Sequence, residues 1–251
     1  MGKRILIRAD DLGYSEGINY GIAKTVGCGI VRSVGLMTNM PLAKQGVELL
    51  KGSDVCFGQH TNICVGRPLC DPRLIPSITG PDGEFRKSRE YRTAEKDFVV
   101  LEEVILEIEE QYQKFKELTG KEPSYFEGHA VSSANFSKGL QIVAKRHGLD
   151  YLGFVSEKPL VFRHTEIAAW MESMQADYQP FASLQRCVLK EYKDDECPMF
   201  ISHPGWLDNY ILTHSSLTIN RAREAEMLCD PAVREWLADH HVRVVTFDEI
   251  R

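Results

Sequence analysis

Short apolar runs alternate with amphipathic stretches along most of this 251-residue chain, the pattern expected of strands and helices assembled into a parallel α/β sheet. Seven runs rich in Ile, Val, Phe and Leu predict strands at 4–9, 31–38, 54–60, 124–129, 150–155, 199–203 and 242–247. Ile5-Leu6-Ile7 and the stretch 242–245 lack strict alternation, which suits strands covered on both faces. Between them the spacing predicts helices. The first starts after Ser15, carries Ile18, Ile22 and Val26 on one stripe, and stops at Gly27 and Gly29. Others are predicted over 42–51, from about 94 to 118 with Gly120 as a stop, and over 137–147 and 216–228. Pro231 opens a last one through Ala238. Two segments break the rhythm, a Pro-, Gly-, Asp- and Arg-rich excursion over 62–92 and an irregular region over 156–197.

Composition narrows the picture without changing it. A hydrophobic fraction of 43% and a charged fraction of 26% are those of a chain that buries a sizeable core, and no repeat or linker divides residues 1–251, so one domain is expected. A net charge of −6, with no block of Lys and Arg, argues against a nucleic-acid partner. No apolar run has the length to cross a bilayer, and the Met-Gly-Lys-Arg start leads straight into a strand pattern, so a cytoplasmic protein without a membrane partner is expected. The seven cysteines are scattered and form no C-x-x-C pair, which reads as free thiols in a reducing compartment rather than a zinc-thiolate site.

Chemistry gathers where strands end. Asp10 and Asp11 follow the first strand, and adjacent carboxylates repel unless a positive charge lies beside them. They either cap the following turn or hold a metal ion. His60 and His129 end two further predicted strands, each close to a glycine, and would point toward the same mouth. One carboxylate and two neutral imidazoles suit Zn²⁺, Mn²⁺, Co²⁺ or Mg²⁺, with positions left for water and substrate. His203, before Pro204-Gly205, ends another strand; it is either structural or a proton donor with a pKa near neutrality. His147, His164, His214, His240 and His241 lack such company. Trp170, Trp206 and Trp236 read as packing residues, although Trp206 is placed to lie against a sugar ring.

These residues resemble the YdjC family of carbohydrate deacetylases, which includes the chitooligosaccharide deacetylases. Arg8-Ala9-Asp10-Asp11-Leu12-Gly13-Tyr14-Ser15 is similar to the family's Asn-Ala-Asp-Asp-Phe-Gly opening, and Gly58-Gln59-His60-Thr61 to its Gly-x-His segment. Gly66-Arg67-Pro68 through Gly83-Glu84-Phe85 resembles its loop, and Ser202-His203-Pro204-Gly205 followed by Asp208 its His-Pro-Gly element. Arg221-Ala222-Arg223-Glu224 and Val245-Thr246-Phe247 also fit. The resemblance implies a single-domain distorted (β/α) barrel with about seven parallel strands. It implies Asp11, His60 and His129 as ligands of a divalent metal ion, Mg²⁺ or Zn²⁺, with Asp10 as general base and His203 as proton donor. The implied reaction removes acetyl groups from N-acetylated mono- or oligosaccharides, with a small sugar as partner; the resemblance and the apolar surface helices also allow a homodimer. Two departures stand out. The family continues its third ligand segment with further histidines, whereas His129 is followed by Ala130-Val131-Ser132-Ser133-Ala134, and Arg8 replaces the usual Asn. The alternatives are a metal-dependent amidohydrolase or esterase acting on another small substrate, and a sugar-binding protein that has lost catalysis.

Overall fold

Alternation within the first predicted strand sorts Ile5, Ile7 and Ala9 from Leu6, Arg8 and Asp10. A computed structural model, describing residues 3–154 and 159–251, extends this strand to β1 (Lys3–Leu12). The chain continues through α1 (Glu16–Gly27), β2 (Ser33–Leu36), α2 (Ala43–Leu49), β3 (Cys56–Thr61), α3 (Ser88–Thr93), α4 (Leu101–Thr119), β4 (Phe126–Gly128) and α5 (Ala134–His147). It then forms β5 (Val161–Phe162), β6 (Thr165–Trp170), α6 (Pro180–Leu189), β7 (Glu196–Ser202), α7 (Asn209–His214), α8 (Ile219–Cys229), α9 (Pro231–Asp239) and β8 (Val242–Val245).

The strands lie in the order β4-β3-β2-β1-β7-β6-β5, and β8 pairs with the first half of β1, Lys3–Leu6 against Val242–Val245. Seven of the eight run parallel; the two-residue β5 is antiparallel to β6. Ile5, Ile7, Ala9 and Leu12 pack against the apolar stripes of the covering helices, among them Ile18 and Ile22 of α1, Leu184 of α6, Leu228 of α8 and Leu237 of α9. On the other face, Leu6, Cys56, Phe162, Ile167, Met199 and Val245 meet around Tyr125 and Phe247, whose rings stack at 4.1 Å. Side chains from six strands reach one inner cluster only because the sheet curls into a barrel. Among the described residues β4 and β5, the two ends of the order, are not paired with each other.

Three expectations need correction. The predicted strand at 150–155 contributes a single parallel bridge, Tyr151 to Phe126, and Val155 falls outside the described residues. The region 156–197 is not irregular throughout: its described part holds the β5–β6 hairpin, turned through Arg163 at φ 55°, and α6, with Pro180 in its first turn. Residues 156–158 lie outside the described residues. The helix expected from about 94 starts at Leu101, since Ala94 leaves α3 extended and Asp97 turns the chain by accepting from Val99 N while it also accepts from Ser133 Oγ and Asn135 N at α5. The excursion 62–92 carries a short 3₁₀ turn at Pro72–Leu74 and α3, and α7 is an addition that Asp208 caps by accepting from Ile211 N.

Candidate metal centre

A regular strand sends neighbouring side chains to opposite faces, so two successive aspartates could not both serve one site. Here the register of β1 against β2 slips: Ala9 pairs with Val34 but Leu12 with Leu36, which places one extra residue in β1. Asp11 absorbs the bulge at φ 77°, a left-handed conformation that Asp tolerates better than most residues. Both carboxylates are consequently buried near His60, with Asp10 at 1% and Asp11 at 0% exposure. The facing position in β2 is Gly35, where a Cβ would lie 2.9 Å from Asp10 Oδ1 and 3.2 Å from His60 Cβ. A side chain there would occupy the space that the acidic pair and His60 use.

Asp11 Oδ1 lies 3.4 Å from His60 Nε2 and 3.2 Å from His129 Nδ1, and the two nitrogens are 2.9 Å apart. His60 sits in β3 and His129 one residue past β4, adjacent strands that bring their ends to the mouth beside β1. Ligand atoms of these three residues all fall within 4.8 Å of one another, a grouping able to hold a metal ion. Asp10, His60 and Glu127 form a second such grouping. The remaining polar contacts hold this geometry from behind. Glu127 Oε1 bonds His60 Nδ1, fixing the ring so that Nε2 faces Asp11. Arg8 Nη2 donates to Asp10 Oδ2 at 2.6 Å and lies 3.7 Å from Glu127. Arg221 Nη2 donates to Asp11 Oδ2 at 2.7 Å. What is left over is informative: Asp10 Oδ1 is buried with no hydrogen-bond partner among the described residues, and Asp11 Oδ1, which makes no hydrogen bond either, has only the two imidazole nitrogens beside it. A buried carboxylate oxygen without a partner is costly unless a cation satisfies it, and the oxygen–nitrogen–nitrogen donor set suits a divalent ion of the zinc or magnesium kind.

Charge in the cluster is tightly coupled. Burial opposes ionisation of Asp11, but Arg221 and His129 hold its carboxyl well below the usual range. Burial likewise works against a charged His60 and His129, yet Glu127 and Asp10 raise His60 to about 10, and Asp11 raises His129 to about 9. A cation entering here therefore competes with protons. Glu127 stays ionised below its ordinary value, since His60 and Arg8 outweigh its burial.

His203 follows β7 directly. Its pKa is not near neutrality: burial lowers it to about 4, only partly offset by Asp11 and Asp10, so the ring is neutral at pH 7. Its Nδ1 is buried with no partner among the described residues. The backbone of His203 is held from α8, where Glu224 Oε2 accepts from its N–H at 2.6 Å and Arg221 Nη1 donates to its carbonyl at 3.4 Å. Trp206 packs toward α1, with the Lys24 ammonium 5.4 Å from its ring centre and its backbone N–H on Gly17 O. His214, exposed, stacks on Tyr210, which meets Tyr14 edge to face.

The structure thus brings together the expected Asp10, Asp11, His60, His129 and His203, and adds Glu127, Arg8, Arg221 and Glu224. Two signals for the additions lie in the sequence. Arg8 shares the inward face of β1 with Leu6 and Asp10 by period two, and Glu127 interrupts an otherwise apolar strand. Arg221 and Glu224 sit three apart on α8, at 2% and 0% exposure; spacing and polarity do not distinguish them from ordinary surface charges of a helix, and only the family resemblance of their segment marks them.

A family model described as YdjC-like protein matches residues 4–239. Carbohydrate deacetylase 2 of Listeria innocua serovar 6a is 30% identical over 261 residues, covering 98% of each chain. The chitooligosaccharide deacetylase of Escherichia fergusonii is 25% identical over the full length of both chains, 100% of each. Among solved structures, one from Enterococcus faecalis V583, named for cellobiose-phosphate cleavage, superposes with a TM-score of 0.86 at 19% identity, covering 99% of this chain and 98% of that one.

Proposed function

This chain belongs to the YdjC-like family, and we propose that it is a metal-dependent deacetylase of N-acetylated mono- or oligosaccharides of the chitooligosaccharide type. The observation that carries the reading is the convergence of Asp11, His60 and His129, whose ligand atoms all lie within 4.8 Å of one another. The relatives named as carbohydrate and chitooligosaccharide deacetylases supply the substrate class.

Held by Asp11, His60 and His129, a divalent cation would supply Lewis acidity toward an amide carbonyl and acidify a water molecule. The chain's own groups supply the rest. Asp10 takes the proton of the attacking water at Oδ1, since Oδ2 is tied to Arg8. His203 rests neutral, so the proton it passes to the departing amine is one taken up during the reaction and ultimately derived from that water. The products are acetate and the free amine of the sugar. With a metal ion bound, Glu127 would keep a proton on His60 Nδ1 and leave the Nε2 lone pair to face inward. Arg221 holds the other oxygen of Asp11 and keeps it ionised.

Metal analysis of the purified protein, with acetate release from N,N'-diacetylchitobiose before and after chelation, tests the reading. Activity that disappears with chelator and returns with a divalent ion is expected. His60→Ala is expected to lower it by at least about 100-fold, whereas His214→Ala, outside the cluster, lowers it little. Wild-type activity in His60→Ala would overturn the site. One observation favours a second reading, a hydrolase of another small amide or ester. Where the family places further histidines, Ala130 is exposed at φ 50°, Val131 packs in an apolar cluster, and Ser133 caps α5. Simple amides and esters hydrolysed faster than acetylated sugars would decide for it. The cytoplasmic location and homodimer expected from the sequence remain part of the proposal; no helix among the described residues is long and apolar enough to cross a membrane.

A further inference from the structure

A histidine that moves protons is commonly aimed by a carboxylate on its second ring nitrogen. His203 has no such partner at Nδ1 among the described residues, although that atom is buried. The direction of its side chain must come from elsewhere. Its main chain is gripped on both sides by α8: the N–H donates to Glu224 Oε2 at 2.6 Å, and the carbonyl accepts from Arg221 Nη1 at 3.4 Å. Glu224 is itself fixed, with Oε1 accepting from Ser173 Oγ at 2.6 Å and Tyr178 OH at 2.8 Å, and it is fully buried. Gly205 N–H donates in turn to Arg221 O, and Gly205 abuts Ile18 so closely that a Cβ there would collide with the Ile18 side chain. The segment after β7 is thus pinned at successive points, and the His203 ring, near enough to Asp10 and Asp11 to feel their charge, inherits that rigidity.

We propose that Glu224 is a positioning residue that acts through His203, setting where the imidazole stands relative to the acidic pair. The inference rests on the functional reading above. A carboxylate in this place costs burial and could be replaced by an apolar residue if only packing were needed. Its three acceptor contacts, one of them to the main chain of His203, identify orientation as its task.

Two variants separate shape from hydrogen bonding. Glu224→Met fills similar space but leaves the His203 N–H without a strong acceptor, whereas Glu224→Gln keeps a neutral one while the Ser173 and Tyr178 hydroxyls turn to accept from its amide. Kinetics with acetylated chitobiose should show kcat lowered about 100-fold in Glu224→Met, as expected of a displaced catalytic group. In Glu224→Gln, assayed above about pH 8 because burial lifts the Glu224 carboxyl to about 7, the fall should be about tenfold, as expected when a charge-assisted bond becomes a neutral one. KM and bound metal should match the wild type, because Glu224 touches no candidate ligand. Both factors should vanish in a His203→Ala background, where there is no ring left to aim. Exchange of the His203 amide proton, followed in metal-free protein, should quicken in both variants. Wild-type kcat in Glu224→Gln, or factors that persist undiminished beside His203→Ala, would overturn the assignment even if Glu224→Met failed to fold. A wild-type protein without acetate release would sink the functional reading instead, and unchanged amide exchange in Glu224→Gln would then still overturn the positioning role.

Discussion

Replacing Asp11 by alanine removes the anionic partner of an arginine that is 2% exposed. The stranded Arg221 guanidinium then costs roughly 3–5 kcal/mol, the penalty of breaking a buried pair from one side. Alanine also tolerates the left-handed backbone at φ 77° less well than aspartate, adding up to about 1 kcal/mol. The two imidazoles lose a neighbouring carboxylate, which acts in the same direction. A loss of about 4 kcal/mol corresponds to a fall in Tm on the order of 10 °C for a chain of this size. Asp11→Asn should lose only about 1–2 kcal/mol, since its oxygen still accepts from Arg221 and asparagine is at ease in that conformation. Asp11→Ala combined with Arg221→Met should recover most of the loss, because no orphan charge remains. Thermal melts in excess chelator, which removes any stabilisation by bound metal, make the comparison. Equal melting of Asp11→Ala and wild type, or a double variant less stable than Asp11→Ala, would refute the ion-pair account.

Glu127→Gln should weaken divalent-metal binding by about 10–100-fold in competition with a chromophoric chelator, since the carboxylate behind His60 is gone; affinity equal to wild type would exclude that role. Glu107 accepts from the Leu69 and Cys70 amides and from Gln111 Nε2, and burial lifts its pKa to about 7. The folded protein therefore holds a proton that the unfolded chain releases near pH 4.5, and stability should fall as pH rises from about 4.5 to 7. Glu107→Gln should flatten that fall in urea titrations between pH 4.5 and 8, and an unchanged slope would show that Glu107 does not titrate there.

The expected cluster residues were legible because each ends a strong apolar run, and parallel strands deliver such ends to one rim. The Asp10-Asp11 pair, His60 and His129 could be brought to one mouth from that rule, whereas the choice of Asp11 as the ligand came from the family resemblance. The bulge that turns Asp11 inward could not, because it depends on how β2 pairs with β1 rather than on the Asp-Asp dipeptide. Thr165–Trp170 escaped prediction for a similar reason: its residues alternate weakly, and it is a strand by virtue of five pairings with β7. The α6 helix did carry a readable sign in Pro180, together with Leu184 and Val188 at four-residue spacing, obscured by the irregular sequence around it. Arg221 and Glu224 were legible only as part of a segment that fits the family; their tasks were not, for these depend on partners elsewhere in the chain, 210 residues away in the case of Asp11.

The extra residue carried by β1 also bears on transplantation. Grafting Asp-Asp onto the end of an ordinary strand would aim one acid into the barrel and the other at the surrounding helices. Deleting a single amino acid from this strand would do the same to the native protein without changing either acid's identity. What an engineer must copy is the mismatch in length between two neighbouring strands, together with the glycine opposite that keeps the gap clear.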